Sequence, residues 1–223
     1  MFFVSKAINP VNPIEPEVQR KAMRALLWLG IVSIIMLFAG LTSAYIVRQG
    51  EGKWVSFALP RLFSISSLII LISSLTMQWA LASIKKNDLK KLRTGLMLTL
   101  FVGVGFVLSQ YFAWTELYHN GIVFTGDIGN IKTDFHYIPS GNETAADAGG
   151  VGNVAGSFLY VLTGLHVAHL LVGMIALIIV FSRGMMGKYS VENYNGVRMC
   201  AIYWHFLDGL WLYLFFFLLY VGS

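Results

Sequence analysis

The side chains best suited to chemistry lie inside long apolar runs, where polar groups are costly. Thr163, His166 and His169 recur at three-residue spacing in a run from about Gly156 to Phe181. On a helix that spacing puts all three on one face. Trp204, His205, Asp208 and Trp211 lie in a second run, about Val197 to Val221, with His205 and Asp208 again three apart. At about 1.5 Å per residue, His169 lies about 20 Å from one end of its helix, and His205 about 10 Å from the opposite end of the next. Across roughly 30 Å of hydrocarbon these depths coincide, so the two clusters can meet if the helices are neighbours.

Three chemistries suit such a constellation. Histidine is the commonest nitrogen ligand, so His166, His169 and His205 could form a haem or copper site in a small membrane protein. His166 and His169 share a helix and cannot hold both faces of one haem, so the other helix would supply the opposite ligand. A network of interhelical hydrogen bonds is the second reading. A proton pathway is the third, but Asp208 is the carboxylate well inside a run, Glu116 lies at a run's end, and one carboxylate makes no relay. The single cysteine, Cys200, excludes a disulfide framework and any Cys-clustered zinc or iron–sulfur site. There is no HExxH and no phosphate-cradling loop.

The elements that must position these residues follow from composition and order. The 223 residues are 57% apolar and 12% charged, against roughly 45–50% and 25% in soluble domains. This composition excludes a disordered chain and argues against a soluble enzyme, and lipid is the plain candidate for what the apolar excess faces. Five runs, about Ala25–Val47, Leu62–Ile84, Gly95–Glu116, Gly156–Phe181 and Val197–Val221, each approach the roughly 20 residues that span a bilayer. They do not alternate as barrel strands would. The fold class is an all-α membrane protein, a bundle of five transmembrane helices.

The first run is too long for a signal peptide and follows a polar stretch, so it reads as a retained helix. Pro10, Pro13 and Pro16 predict an extended segment over residues 1–19, within an N-terminal arm of residues 1–21 ahead of a domain of residues 22–223. Of the 16 Lys and Arg, all but Arg48, Lys53, Arg61 and Lys132 fall on one side of the bundle. That bias predicts a cytoplasmic N-terminus and an external C-terminus, and explains the net charge of +5 without a nucleic-acid partner. The connection from about 117 to 155 is long, rich in Gly, Asp, Asn and Thr, and carries one lysine. It reads either as an external contact surface for another protein or as a tolerated insertion.

Taken in order, the motifs resemble subunit III of the haem–copper cytochrome oxidases. Tyr203-Trp204-His205-Phe206-Leu207-Asp208 followed by Trp211 is similar to that family's YWHFxDxxW signature. Gly156-Ser157-Phe158 leading to Thr163-Gly164-Leu165-His166-Val167-Ala168-His169 and Gly173 resembles its GSxF…TGxHxxHxxxG helix. Ser73-Ser74-Leu75-Thr76, Gln110 and Met36 to Leu41 are weaker echoes, and the likeness spans about residues 22–221 outside the long loop. The resemblance implies the five-helix bacterial form, in the cytoplasmic membrane. It implies no haem or copper in this chain, those cofactors residing in partner subunits I and II, and bound phospholipid.

It further implies an accessory role in assembly, stability and sustained turnover of subunit I, in a complex that oxidises cytochrome c, reduces oxygen to water and moves protons. Subunit III of a quinol oxidase, or a homologue associated with nitric-oxide reductase, is the alternative within the family. The external loop would be placed to reach a quinol–cytochrome c oxidoreductase in a supercomplex. Two positions depart from the family's pattern: Ile34 and Ala113 stand where carboxylates are usual. No proton role of those carboxylates carries over.

Overall fold

Tertiary packing in the computed structural model is described for residues 16–51, 54–57, 59–120, 122–124, 135–138, 154–191 and 193–221. Five helices account for most of them: α1 (Pro16–Gly50), α2 (Arg61–Lys85), α3 (Leu89–His119), α4 (Val154–Met185) and α5 (Asn195–Val221). All five are long and apolar enough to cross a membrane. The chain is a multi-pass membrane protein with an all-α bundle, as its composition requires.

The helix ends follow local chemistry. α1 begins at Pro16, earlier than the extended segment predicted through residue 19, so the arm boundary at residue 21 falls inside the helix. Proline is tolerated in a first turn because its missing N–H would have no partner there. Residues 1–15 of the expected arm lie outside the described residues. α2 and α3 are joined by a tight turn in which Asn87 takes a left-handed φ of 58°. Asp88 then caps α3, accepting the Lys91 amide at 3.0 Å. That side-chain bonding to Lys91 holds the Asp88 carboxyl below its ordinary value. α4 ends where Gly187 adopts a φ of 68°, and its amide returns to Gly184 O at 3.1 Å.

α2, α3, α4 and α5 close into a ring, and α1 lies outside it against α4 and α5. The α2–α3 seam is the most extensive, and small residues explain why. A Cβ placed on Gly95 would lie 2.8 Å from Ala80 Cβ and 3.0 Å from its Cα. The backbones therefore touch, and Thr76 bonds Thr99 across the seam at 2.9 Å. α3 and α4 run antiparallel: Trp114 Nε1 donates to Thr163 Oγ1 at 3.1 Å, and Arg93 Nε at the far end donates to Gly184 O at 3.0 Å. α1 runs alongside α5 through Thr42 and Tyr213, 3.0 Å apart, and through Gln49 Nε2 donating to Val221 O at 2.8 Å.

Beyond the bundle, β1 (Trp54–Phe57) pairs antiparallel with β2 (Phe135–Ile138). This ties the α1–α2 connection to the long loop, which α3 and α4 narrow to residues 120–153. Four-residue aromatic and β-branched stretches are too short to show a strand period in the sequence. Trp54 anchors the pair, packing edge-on against Tyr45 of α1 at 4.6 Å.

Gly95→Ala is expected to lower stability by about 1–3 kcal/mol, because the added methyl must separate two backbones. Gly105→Ala, where a Cβ meets nothing within 4 Å, should be neutral or gain up to about 1 kcal/mol of helix propensity. Melting temperatures of the two detergent-solubilised variants check this; equal shifts would contradict the close approach.

Candidate functional site

α5 carries one of the two polar motifs, and its partners come mostly from α2. Trp204 Nε1 donates to Ser73 Oγ at 2.9 Å, and Trp211 Nε1 to Ser67 Oγ at 3.0 Å. Each two-turn step along α5 is matched by a step back along α2, as antiparallel helices require. His205 Nε2 donates to Gln78 Oε1 at 3.3 Å, leaving Nδ1 to accept the Ser74 hydroxyl at 2.7 Å. Asp208 is 3% exposed and lies beside the same Ser74 hydroxyl, which is already committed to His205. Both Asp208 oxygens lack a well-formed hydrogen bond among the described residues.

The Trp204 ring fills the middle of the ring of helices, and a Cβ on Gly103 of α3 would lie 3.1 Å from it. The Trp211 ring stacks on Phe63 at 5.9 Å and meets the edge of Phe106 at 4.9 Å. Tryptophan suits this place because it supplies a large apolar body with one donor to satisfy.

The α4 motif divides between three neighbours. Thr163 donates to Leu159 O at 2.7 Å while accepting the Trp114 indole from α3. His166 is fully buried, its ring 5.2 Å from Trp211 and 5.9 Å from Phe106, and neither ring nitrogen has a partner among the described residues. His169 turns toward α1, 5.9 Å from Phe38, and its Nδ1 donates to Leu165 O at 2.7 Å. Its carbonyl accepts the Tyr203 hydroxyl from α5 at 3.3 Å. Gln110 of α3 is fully buried, and its carboxamide has no hydrogen-bond partner among the described residues. It lies one turn from Phe106 and one from Trp114, opposite the Thr163–His166 turn.

Residues 143–223, which hold both motifs, match the family model described as cytochrome c oxidase subunit III. The chain is 28% identical to cytochrome c oxidase subunit 3 of Thermostichus vulcanus over 193 residues, covering 83% of this chain and 80% of that protein. It is 29% identical to the probable cytochrome c oxidase subunit 3 of Mycobacterium leprae, covering 84% and 81%. It is 32% identical to the probable subunit 3 of Rickettsia felis over 71% of this chain, and spans about half of that relative, 48%. The chain is similar to cytochrome c oxidase subunit III over most of its length, and the matched family model takes in both the α4 and the α5 motif.

The structure brings these residues together only in part. His166 meets α5 through the Trp211 ring, so the α4–α5 interface expected from the sequence is present. No hydrogen bond joins His166 or His169 to His205 or Asp208, which corrects the expectation of one merged polar cluster. The reason is angular: His205 points to the α2 seam, His169 to α1, and His166 into the core. Among the described residues, no three His, Cys, Asp or Glu side chains are grouped as a metal site. Sequence reasoning named Ser73 and Ser74 as weaker family echoes and Tyr203 within the α5 signature without giving them bonding partners, and it missed Ser67 and Gln78. The serine doublets Ser66-Ser67 and Ser73-Ser74, seven residues apart in an apolar helix, were the available signal.

Removing Trp204's donor by Trp204→Phe, or its acceptor by Ser73→Ala, should each destabilise the protein. A double-mutant cycle should give a coupling of about 0.6–2 kcal/mol, the range for buried hydrogen bonds between membrane helices. Additive effects would show that the 2.9 Å bond contributes nothing specific.

Proposed function

We propose that this chain is an accessory, non-redox subunit of an aerobic terminal cytochrome oxidase in a bacterial cytoplasmic membrane. Its N-terminus faces the cytoplasm and its C-terminus the exterior. The complex oxidises cytochrome c, reduces oxygen to water and moves protons, with haem and copper held by subunits I and II. This subunit supports the assembly, stability and sustained turnover of subunit I. The observation that carries the reading is the use of the α5 motif: Trp204, His205 and Trp211 are committed to α2 across an interhelical seam. That is how a scaffold uses polar groups in lipid, where each donor needs a partner inside the protein. The names of the relatives, all subunit 3 of cytochrome c oxidase, support the same reading.

Phospholipid is part of this proposal. A groove of about 550 Å³ between α1, α4 and α5 is lined by Leu27, Val172, Ala176, Cys200 and Tyr203, with Arg183 at its mouth. An adjoining hollow presents Arg20, Arg183 and Lys188. Acyl chains suit the first and an anionic headgroup the second.

Purification through a tag on this chain should recover a large subunit with haem and a subunit with a copper-binding domain. The chain expressed alone should show no Soret band; a Soret band stoichiometric with it would overturn the accessory reading. Asp208→Asn should reduce the amount of assembled complex while leaving turnover per haem within about twofold, since Asp208 is buried at a seam rather than in a relay. Normal assembly with turnover lost would instead assign Asp208 a proton role.

A further inference from the structure

Most of the outward surface of the bundle asks for nothing but lipid. The outer side of α1 exposes Leu26 at 67% and Met36 at 70%, and hydrocarbon satisfies both. The α2–α5 seam is different. Gln78 is exposed there, and Ser74 and His205 are half-buried beside it. Counted from the nearby helix ends, Lys85 and Asn195, these three lie roughly 10 to 17 Å into the helices. Acyl chains offer no hydrogen bonds at that depth, and glutamine lacks the long stem that lets Lys or Arg reach the headgroups.

We propose that the α2–α5 seam around Gln78 and His205 docks a transmembrane helix of a partner subunit that presents a hydrogen-bond acceptor at the same depth. The inference rests on the reading of the chain as a subunit of a membrane complex. Three observations select this occupant. The first is an unused donor: Gln78 Oε1 accepts from His205, while the Gln78 amide nitrogen has no hydrogen-bond partner among the described residues. An acceptor on a facing helix completes it, whereas lipid tails and apolar helices leave it open.

The second is the row in which Gln78 lies. Leu71, Leu75, Gln78 and Ala82 form an exposed stripe along α2 at helix-contact spacing, apolar except for Gln78. The third is room for close approach. One turn beyond His205, Gly209 is exposed, and a Cβ built there meets nothing within 4 Å. Small outward residues let a second backbone come near enough for side chains to bond across the seam.

The test uses the assembled complex. A photo-reactive p-benzoylphenylalanine in place of Gln78 should cross-link to a membrane-embedded partner subunit. Cross-links to lipid alone, from a complex that still copurifies, would overturn the proposal. Gly209→Leu projects a side chain into open space and leaves this chain's own packing untouched. The variant should accumulate normally in the membrane, while the fraction bound to partner falls by about tenfold or more. Unchanged binding of a normally accumulated Gly209→Leu chain would also overturn it; if that chain fails to accumulate, the Gln78 cross-link decides. A cross-linked membrane subunit in a complex without haem would uphold the docking face and sink the oxidase reading instead.

Discussion

An indole N–H inside a bilayer has no water to bond, and α5 carries two of them on the side that faces the bundle. Each finds a serine hydroxyl on α2, at 2.9 and 3.0 Å. Much else follows from those two bonds. They set the register between α2 and α5, and so bring His205 opposite Ser74 and Gln78. The Trp204 ring occupies the centre, where the missing side chain of Gly103 leaves room for it. Trp211 then forms the wall against which Phe63, Phe106 and His166 pack. Each single bond contributes little in free energy, but the alternative is a donor left bare in hydrocarbon.

Around this interior the bundle is held by bonds that reach across seams at both ends. Arg93 ties α3 to the last turn of α4, adding a side-chain donor to the Gly184 carbonyl that already accepts the Gly187 amide. Gln49 likewise ties α1 to the end of α5. Trp54 closes the rim where β1 joins β2. Polar residues in these helices thus include some that lock a seam, such as Thr76, Thr163 and Tyr213, and some enclosed without a well-formed hydrogen bond among the described residues, Gln110, His166 and Asp208.

The five crossings were legible because hydrophobic length is a property of the chain itself: a run of about 20 apolar residues has few alternatives to a spanning helix. The family resemblance was legible in the α4 and α5 motifs, and the matching family model spans the same two helices. Helix ends were less so. The proline at 16 reads as a break in sequence but serves as a start in structure, since the same missing N–H is harmful within a helix and harmless in its first turn. The β1–β2 pair was invisible, because the bonds that define it join residues about 80 positions apart, each in a stretch too short for a pattern.

Spacing alone put Thr163, His166 and His169 on one face, and His205 with Asp208 on another, yet in the fold the α4 trio divides among α3, the core and α1. Which neighbour each side chain meets was a matter of rotation about the helix axis, and local sequence carries no measure of that. Tertiary packing turned His205 to Ser74 and Gln78, His169 to Phe38 and Leu165, and His166 to Trp211. The sequence by itself determined that the protein crosses a membrane as five helices and that its intramembrane polar residues need partners other than lipid tails. Only the tertiary structure decided the partners, because a helix offers several neighbours at each depth and the close approach at Gly95, the open centre at Gly103 and the α2 serines together select among them.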